Sequence, residues 1–488
     1  MQRYEDLQPK NVFHWFKQLN DIPRGSGNEK GVSDFLVSFA KERGLEVYQD
    51  HLNNVIIKKD ATKGYENSEP VILQGHMDMV CEKTDDSDHD FLKDPISMHV
   101  KDGYVYADNT TLGADDGIAV AFCLAILDSD DVSHPKLEVL VTIDEERGMD
   151  GANGVTAEHL SGTRLLNIDT ETEGDFIVSC SGGANAITTF KSEKSEGLAK
   201  AIEISLSGLN GGHSGLEIQK QNKNAIKVMA RLLNKVALEM DFRLQEISGG
   251  SKHNAIAKNA HAIITVDDLD KAMNILNEIG EYVRHEGRKT DPNLVLDIKE
   301  TEKTEFSYSK ETSQSIVKFL YLLINDVIST SQDIEGLVQT SSNVGVVEAD
   351  DEQIKVTCCV RSSVESELHN MFDKIKSLAY LTHGTTVIEK EYPAWEFNTD
   401  GELAKVAPAL YEEMTGKKAN VTAIHAGLEC GLLKGVLPDC DMISFGPDIF
   451  GAHTPLEHLG IESTKRMYDY TLKSVSYTHL TLPTKRIV

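Results

Sequence analysis

Several features that would place a chain in a class at once are missing here. Its seven cysteines are odd in number and show no CxxC spacing, which argues against a disulfide framework and against a thiolate zinc site. Basic charge is scarce. Against 49 Lys and Arg stand 78 Asp and Glu, a formal charge of −29 with no basic cluster to offset it, so nucleic acid and anionic membranes are repelled as partners. No uncharged apolar run approaches the roughly 18–20 residues that span a bilayer. The opening MQRYEDLQPKNVFHWF carries acidic residues early and no apolar core leading to small residues, so it does not read as a signal peptide. Low-complexity segments and periodic repeats are missing too. Together these absences lead to the expectation of a cytoplasmic protein with reduced thiols, and Cys81 reads as a packed or half-buried thiol rather than a nucleophile.

What is present is enough apolar material for large cores: 488 residues, 40% of them hydrophobic, where domains commonly run to roughly 100–200 residues. Residues 11–45 hold two helix-like patterns interrupted by Pro23 and glycines. The runs Val71–Leu73, Leu137–Ile143, Leu165–Ile168 and Met442–Phe445 are short, β-rich and without clean alternation, as in strands covered on both faces. Ile118–Leu127 is the plainest intervening helix, and the alternation favours an α/β layered domain. From about Gly182 to Tyr392 strands and helices alternate without acidic strand ends, which suggests an α+β insertion. The expected organisation is a discontinuous catalytic domain over 1–184 and 392–475, with the inserted domain over 185–391. The last stretch, SVSYTHLTLPTKRIV, lacks helical periodicity, so residues 476–488 are expected to be a non-native or disordered tail.

Five metal-type side chains follow apolar runs: His76, Asp115, Glu146, Asp169 and His453. In open α/β sheets ligands bind beyond the carboxyl ends of strands, and QGHMDMV, TIDEERG, LNIDTET and MISFGPDIFGAH each put a candidate there. Asp115 lies in the glycine-bearing loop DNTTLGADDGIAV, which opens a helix. In HMD, residues i and i+2 share a face of an extended segment, so Asp78 can accept from the far nitrogen of His76 and set its tautomer. Glu145 and Glu146 are adjacent and point apart; one can bind metal while the other serves as a general base. An isolated acid at a strand end is most simply a turn or cap residue, but the joint pattern fits a pair of ions about 3.5–4 Å apart. Mixed imidazole and carboxylate donors suit zinc, with cobalt or manganese as alternatives.

At these residues the chain resembles the M20 family of co-catalytic zinc peptidases, and within it the aminoacyl-histidine dipeptidase branch. The motifs GHMDMV, NTTLGADDGIAVA, TIDEERGMDGA, NIDTETEG, GLNGGHSG, IHAGLECG and GPDIFGAHTP carry the likeness, which runs from the N-terminus to about Val475. The resemblance implies two divalent ions, most simply Zn2+. His76 and Asp169 would hold one, Glu146 and His453 the other, and Asp115 would bridge them. It implies Glu145 as general base, Asp78 as the carboxylate behind His76, and a zinc-peptidase-like α/β domain with an inserted ferredoxin-like lid. A homodimer through that lid is implied as well. His213 looks like the lid histidine that approaches the scissile carbonyl, although a glycine-flanked histidine is as often a turn residue. Asn254 and Arg361 look like substrate-contacting positions, and Glu429 like a contact for the substrate's free amine, with an ion pair for Arg361 and a helix role for Glu429 as plainer readings.

The function implied is hydrolysis of unblocked dipeptides, including Xaa-His such as β-alanyl-histidine, by attack of a metal-bridged water with Glu145 as base. A related amidohydrolase acting on N-acyl or N-carbamoyl amino acids is the alternative within enzymes. A catalytically silent scaffold of the same fold is the alternative outside them.

Overall fold

The computed structural model describes residues 3–477. They form two compact units, one built from the residues up to Ser179, Phe397–Ala423 and the residues from Leu428 onward, the other from Cys180–Glu396 and Ile424–Gly427. Among the described residues no helix is long and apolar enough to cross a membrane.

The first unit is organised by an eight-stranded sheet whose middle is parallel. Leu137–Thr142, Val71–His76, Arg164–Asn167 and Asp441–Ser444 run side by side in one direction. All six residues of Val71–His76 and of Leu137–Thr142 are buried, which is why these strands read as continuous apolar runs. Register places His76 opposite Thr142, and Asn167 opposite both Gln74 and Ser444. The carboxyl ends of four strands therefore meet at one edge of the sheet, where ligand sites form in such folds. Glu138, within a central strand and fully buried, has its carboxylate satisfied by the backbone N–H of Ser161 and Gly162 and by the Ser161 hydroxyl.

The helix Ala114–Leu127 is buried at nearly every position, consistent with apolar residues all round it, and packs against Lys10–Asn20 and Val71–His76. Asp115 and Asp116 depart from helical geometry within its first turn. A smaller antiparallel sheet joins Met98–Lys101, Tyr104–Ala107, His458–Gly460 and Ile449–Phe450. It ties the segment carrying His453 to the chain just before the Asp115 loop. The terminal helix Ile461–Ser476 reaches into the expected tail by one residue; residues 478–488, which make up most of that tail, lie outside the described residues.

The second unit contains a nine-stranded antiparallel sheet. Lys200–Ser207, Ala225–Glu239, Arg243–Gly249, Ala260–Val266, Leu269–Gly287 and Val295–Thr301 follow one another as strand, helix, strand, strand, helix, strand. Their strands lie in the order fourth, first, third, second, which is the ferredoxin-like plan. The same plan recurs in Gly182–Lys191, Lys310–Leu322, Val338–Ala349, Gln353–Ser362, Glu365–Leu381 and Thr385–Tyr392, again in the order fourth, first, third, second. One sandwich is thus inserted into another, and they share a sheet through Gly249 and Val347. A single such sandwich was expected. The duplication is one of topology, which leaves no sequence period to detect.

Alternation explains the packing: Ile202, Ile204 and Leu206 point into the helix-covered core, while Glu203 faces His261 and Lys299 on the other side. Helix starts are capped by Asn224, Asp268 and Ser309, whose side chains accept from backbone N–H groups two or three residues on, as short polar side chains do at such ends.

Candidate metal centre

Four strand ends and one loop of the first unit bring the five expected ligands together. Asp115 Oδ1 lies 3.2 Å from His76 Nε2, and its Oδ2 lies 3.1 Å from His453 Nε2. His76 Nε2 is also 3.6 Å from Asp169 Oδ1, and His453 Nε2 is 3.0 Å from Glu146 Oε2. Each imidazole thus faces one oxygen of Asp115 and one oxygen of a second carboxylate. Ligand atoms about 2.0–2.1 Å from a tetrahedral zinc sit roughly 3.3 Å from one another; Asp115, Glu146 and His453 have the donor types and mutual spacing for such an ion, and around His76 that spacing is met with Asp169 and Asp116. His76 is 1% exposed and His453 51%, so one half of the cage is deep and the other open to ligands. His453 has φ of 62°, a left-handed conformation that a non-glycine residue adopts at some local cost.

The charges favour a cation. His453 is pushed up to about 11 by its hydrogen bonds to Asp115 and Glu146. Burial works against a charge on His76, yet hydrogen bonds to Asp115, Asp169 and Asp78 hold it well above its ordinary value. Burial would also raise Asp115, but His453 and His76 keep it below the carboxylate range. Asp169 and Glu146 are raised, chiefly by burial. Protons on both imidazoles answer a surplus of buried negative charge; divalent ions would answer it in their place, with the imidazoles neutral as ligands must be. Glu146 Oε1 is buried without a hydrogen-bond partner, so it has a lone pair to offer.

Behind the ligands, Asp78 is fully buried and accepts from Ser26 Oγ at 2.7 Å, Glu145 N at 3.1 Å and Glu146 N at 3.3 Å. Its Oδ1 is 3.3 Å from His76 Nδ1. The carboxylate therefore orients His76 and the turn carrying both glutamates. Glu145, half-buried, has no side-chain hydrogen bond among the described residues, and burial followed by Asp169, Glu146 and Glu429 raises its carboxyl well above the ordinary range. Asp116, which the sequence reading passed over, accepts from His76 N and could join His76 and Asp169 as a donor. The DD pair was its only signal.

Glu429, expected as a contact for a substrate amine with a helix role as the plainer reading, opens the helix Glu429–Val436. Its side chain is fully buried, and Oε2 accepts from Gln74 Nε2 at 2.5 Å and Thr142 Oγ1 at 2.7 Å. It buttresses two strand ends from within, and burial pushes its carboxyl up to about 7. Cys81 is an exposed residue whose Sγ packs against Gly25 and donates to Met79 O at 3.9 Å.

The remaining expected residues belong to the second unit. His213 follows two glycines with φ of 67° and 133°, and its Nδ1 accepts from Gly215 N at 3.3 Å and Leu216 N at 3.2 Å. That fixes the proton of the neutral ring on Nε2, which is left as a donor. Burial and nearby Arg361 lower its pKa, which keeps the ring neutral. Arg361 is 7% exposed, donates to Tyr392 Oη at 2.8 Å and leaves Nε without a partner. Among the described residues it makes no ion pair, contrary to the plainer expectation for it. Asn254 is half-buried, and its carbonyl oxygen accepts from Ser214 N at 2.9 Å. His425, not singled out from the sequence, is buried with Nε2 2.7 Å from Ser341 Oγ.

Residues 72–476 match the family described as peptidase family M20/M25/M40. The chain is 36% identical over 467 residues to the cytosol non-specific dipeptidase of Escherichia coli K12, covering 95% of this chain and 96% of that one. It superposes on the aminoacylhistidine dipeptidase of Vibrio alginolyticus with a TM-score of 0.90 at 36% identity, covering 98% of each chain. A tripeptidase from Staphylococcus aureus shares the fold at a TM-score of 0.55 and 16% identity, over 97% of this chain and 99% of that one. The chain belongs to peptidase family M20/M25/M40.

Proposed function

We propose that the protein is a di-metal dipeptidase acting on unblocked dipeptides, Xaa-His among them. The observation that carries this reading is the shared carboxylate: Asp115 presents one oxygen to His76 and the other to His453, each histidine being completed by a further carboxylate. His76, Asp115 and Asp169 would hold one ion, and His453, Asp115 and Glu146 the other. Zinc fits these donors best, with cobalt or manganese able to replace it. When bound, the ions polarise the scissile carbonyl and acidify a water.

The chain's own groups do the rest. Glu145, unpaired and in a desolvated setting, takes the water's proton and returns it to the leaving amine. Burial raises its carboxyl above the ordinary range, which makes it a stronger proton acceptor and so supports this. His213 Nε2–H serves as donor to the developing oxyanion. Arg361 and Asn254 meet the dipeptide's far end, the guanidinium pairing with its carboxylate. The names of the two full-length relatives at 36% identity support dipeptides as the substrate class. The absence of a disulfide among the described residues supports a reducing, cytoplasmic setting. Assembly as a homodimer through the second unit is part of the reading, supported by exposed Tyr380 and Leu381 at the end of the helix Glu365–Leu381 and by exposed Val387 on the edge strand Thr385–Tyr392.

A panel tests the reading: free dipeptides including β-alanyl-histidine, N-acyl amino acids and N-carbamoyl amino acids, each with chelator and after restoring zinc, manganese or cobalt. Metal-dependent cleavage of free dipeptides is expected. Turnover confined to the acylated compounds would replace the proposal with an amidohydrolase, and none after metal restoration would leave a silent fold.

A further inference from the structure

The loop that delivers Asp115 is held from both sides by two buried charged residues that the reading above leaves without a role. Glu457 is 2% exposed and lies four residues beyond His453. Its Oε2 accepts from Leu112 N at 2.8 Å and Gly113 N at 3.0 Å, and its Oε1 from Ala114 N at 2.7 Å and Asp115 N at 3.4 Å. Arg24, 2% exposed, takes the loop's other side. Its Nη2 donates to Gly113 O at 2.5 Å and to Asn20 Oδ1 at 2.9 Å, while its Nη1 donates to Met77 O at 3.1 Å and Asp78 O at 3.2 Å. Gly113 has φ of 67°, and a Cβ there would lie 2.5 Å from Arg24 Nη2, so the close approach requires glycine.

We propose that Glu457, with Arg24 opposite it, is the positioning residue for the shared carboxylate Asp115, and that it sets metal affinity rather than substrate recognition. The inference rests on the two-ion reading of the site. Three segments far apart in sequence must agree for Asp115 to face both histidines. Arg24 links the His76 segment to the Asp115 loop through backbone carbonyls. Glu457 links the His453 segment to the same loop through backbone N–H groups. Asp115 also leaves helical φ/ψ at its own position, so helix formation alone does not aim its side chain. A role limited to capping the helix Ala114–Leu127 makes a different forecast, since lost caps lower stability without changing how a folded protein holds metal.

The experiment compares the full-length protein with Glu457→Gln, which turns two of the four acceptor contacts into donors facing donors. Zinc affinity is read by competition with a chromophoric chelator, cobalt ligation by visible absorption, and kinetics on a free dipeptide at saturating metal. Expected are zinc binding weaker by about 10–100-fold, an altered cobalt spectrum and KM within twofold of wild type. A folded Glu457→Gln protein with wild-type zinc affinity and cobalt spectrum overturns the proposal, whatever its melting temperature. Should that variant not fold, Glu457→Asp, whose carboxylate is one methylene short of the loop, is expected to bind zinc at least about fivefold more weakly; unchanged affinity overturns the proposal. If the wild-type protein binds neither metal, the two-ion reading itself fails, a result distinct from metal binding that ignores Glu457.

Discussion

Replacing Glu145 with Gln separates its assigned chemistry from structure. The side chain has no hydrogen bond to lose among the described residues, and its carboxyl is raised chiefly by burial. A group whose charged form is disfavoured by folding reduces stability above its unfolded pKa, so removing the charge leaves the metal-free fold as stable or more so. Other carboxylates gathered around His76 cannot stand in as base. Asp115 lies between two imidazoles, Asp169 faces His76, Glu146 faces His453, and Glu429 is tied to Gln74 and Thr142. General-base removal typically costs about 10²–10⁴-fold; with no substitute at hand the upper part applies, about 10³–10⁴-fold in kcat, or roughly 4–5.5 kcal/mol of barrier. The assay is steady-state hydrolysis of a free dipeptide, with metal content by elemental analysis and a thermal melt of the metal-free protein. A Glu145→Gln protein that keeps two metals and retains kcat within tenfold of wild type refutes the assignment.

Three further outcomes are expected. Asp115→Asn should abolish tight binding of both ions together, because one side chain serves both clusters; elemental analysis showing one ion retained at wild-type affinity would contradict the bridge. Arg361→Ala should raise KM for free dipeptides by about 10–100-fold, the worth of a charge-assisted hydrogen bond, and leave dipeptide amides nearly unchanged, which parallel kinetics on the two substrates would reveal. Glu173 is held down to about 2: burial opposes its charge, but Arg466, Lys417, Ser463 and Tyr411 overcome that. Its contribution, on the order of 2–3 kcal/mol, is present above the unfolded value near 4.5 and is lost as pH falls towards 2. Denaturant melts across that window should show Glu173→Gln less stable at neutral pH and less sensitive to acid.

The sequence by itself determined the parts whose cause is local. Apolar runs mark the central strands because burial on both faces demands it, and acidic or imidazole residues directly after them mark the sheet edge where a site can form. The short motifs around His76, Asp115, Glu146, Asp169 and His453 were legible for the same reason. Relations across long separations were not. Residue types and spacing left open which of Glu145 and Glu146 binds metal, and only the family resemblance paired Glu146 with His453; the folded sheet supplies the physical reason, since both follow one strand and differ in the turn that Asp78 holds. Only packing turns Glu429 inward onto Gln74 and Thr142, and only backbone N–H groups of Gly215 and Leu216 choose the tautomer of His213. Arg24 and Glu457 carry no motif of their own. Their partners are backbone groups, which every residue possesses, so nothing in the side-chain pattern announces that these two charges bracket Asp115. The second ferredoxin-like sandwich was hidden likewise, because strand order comes from pairing between distant segments and one alternating pattern serves many orders.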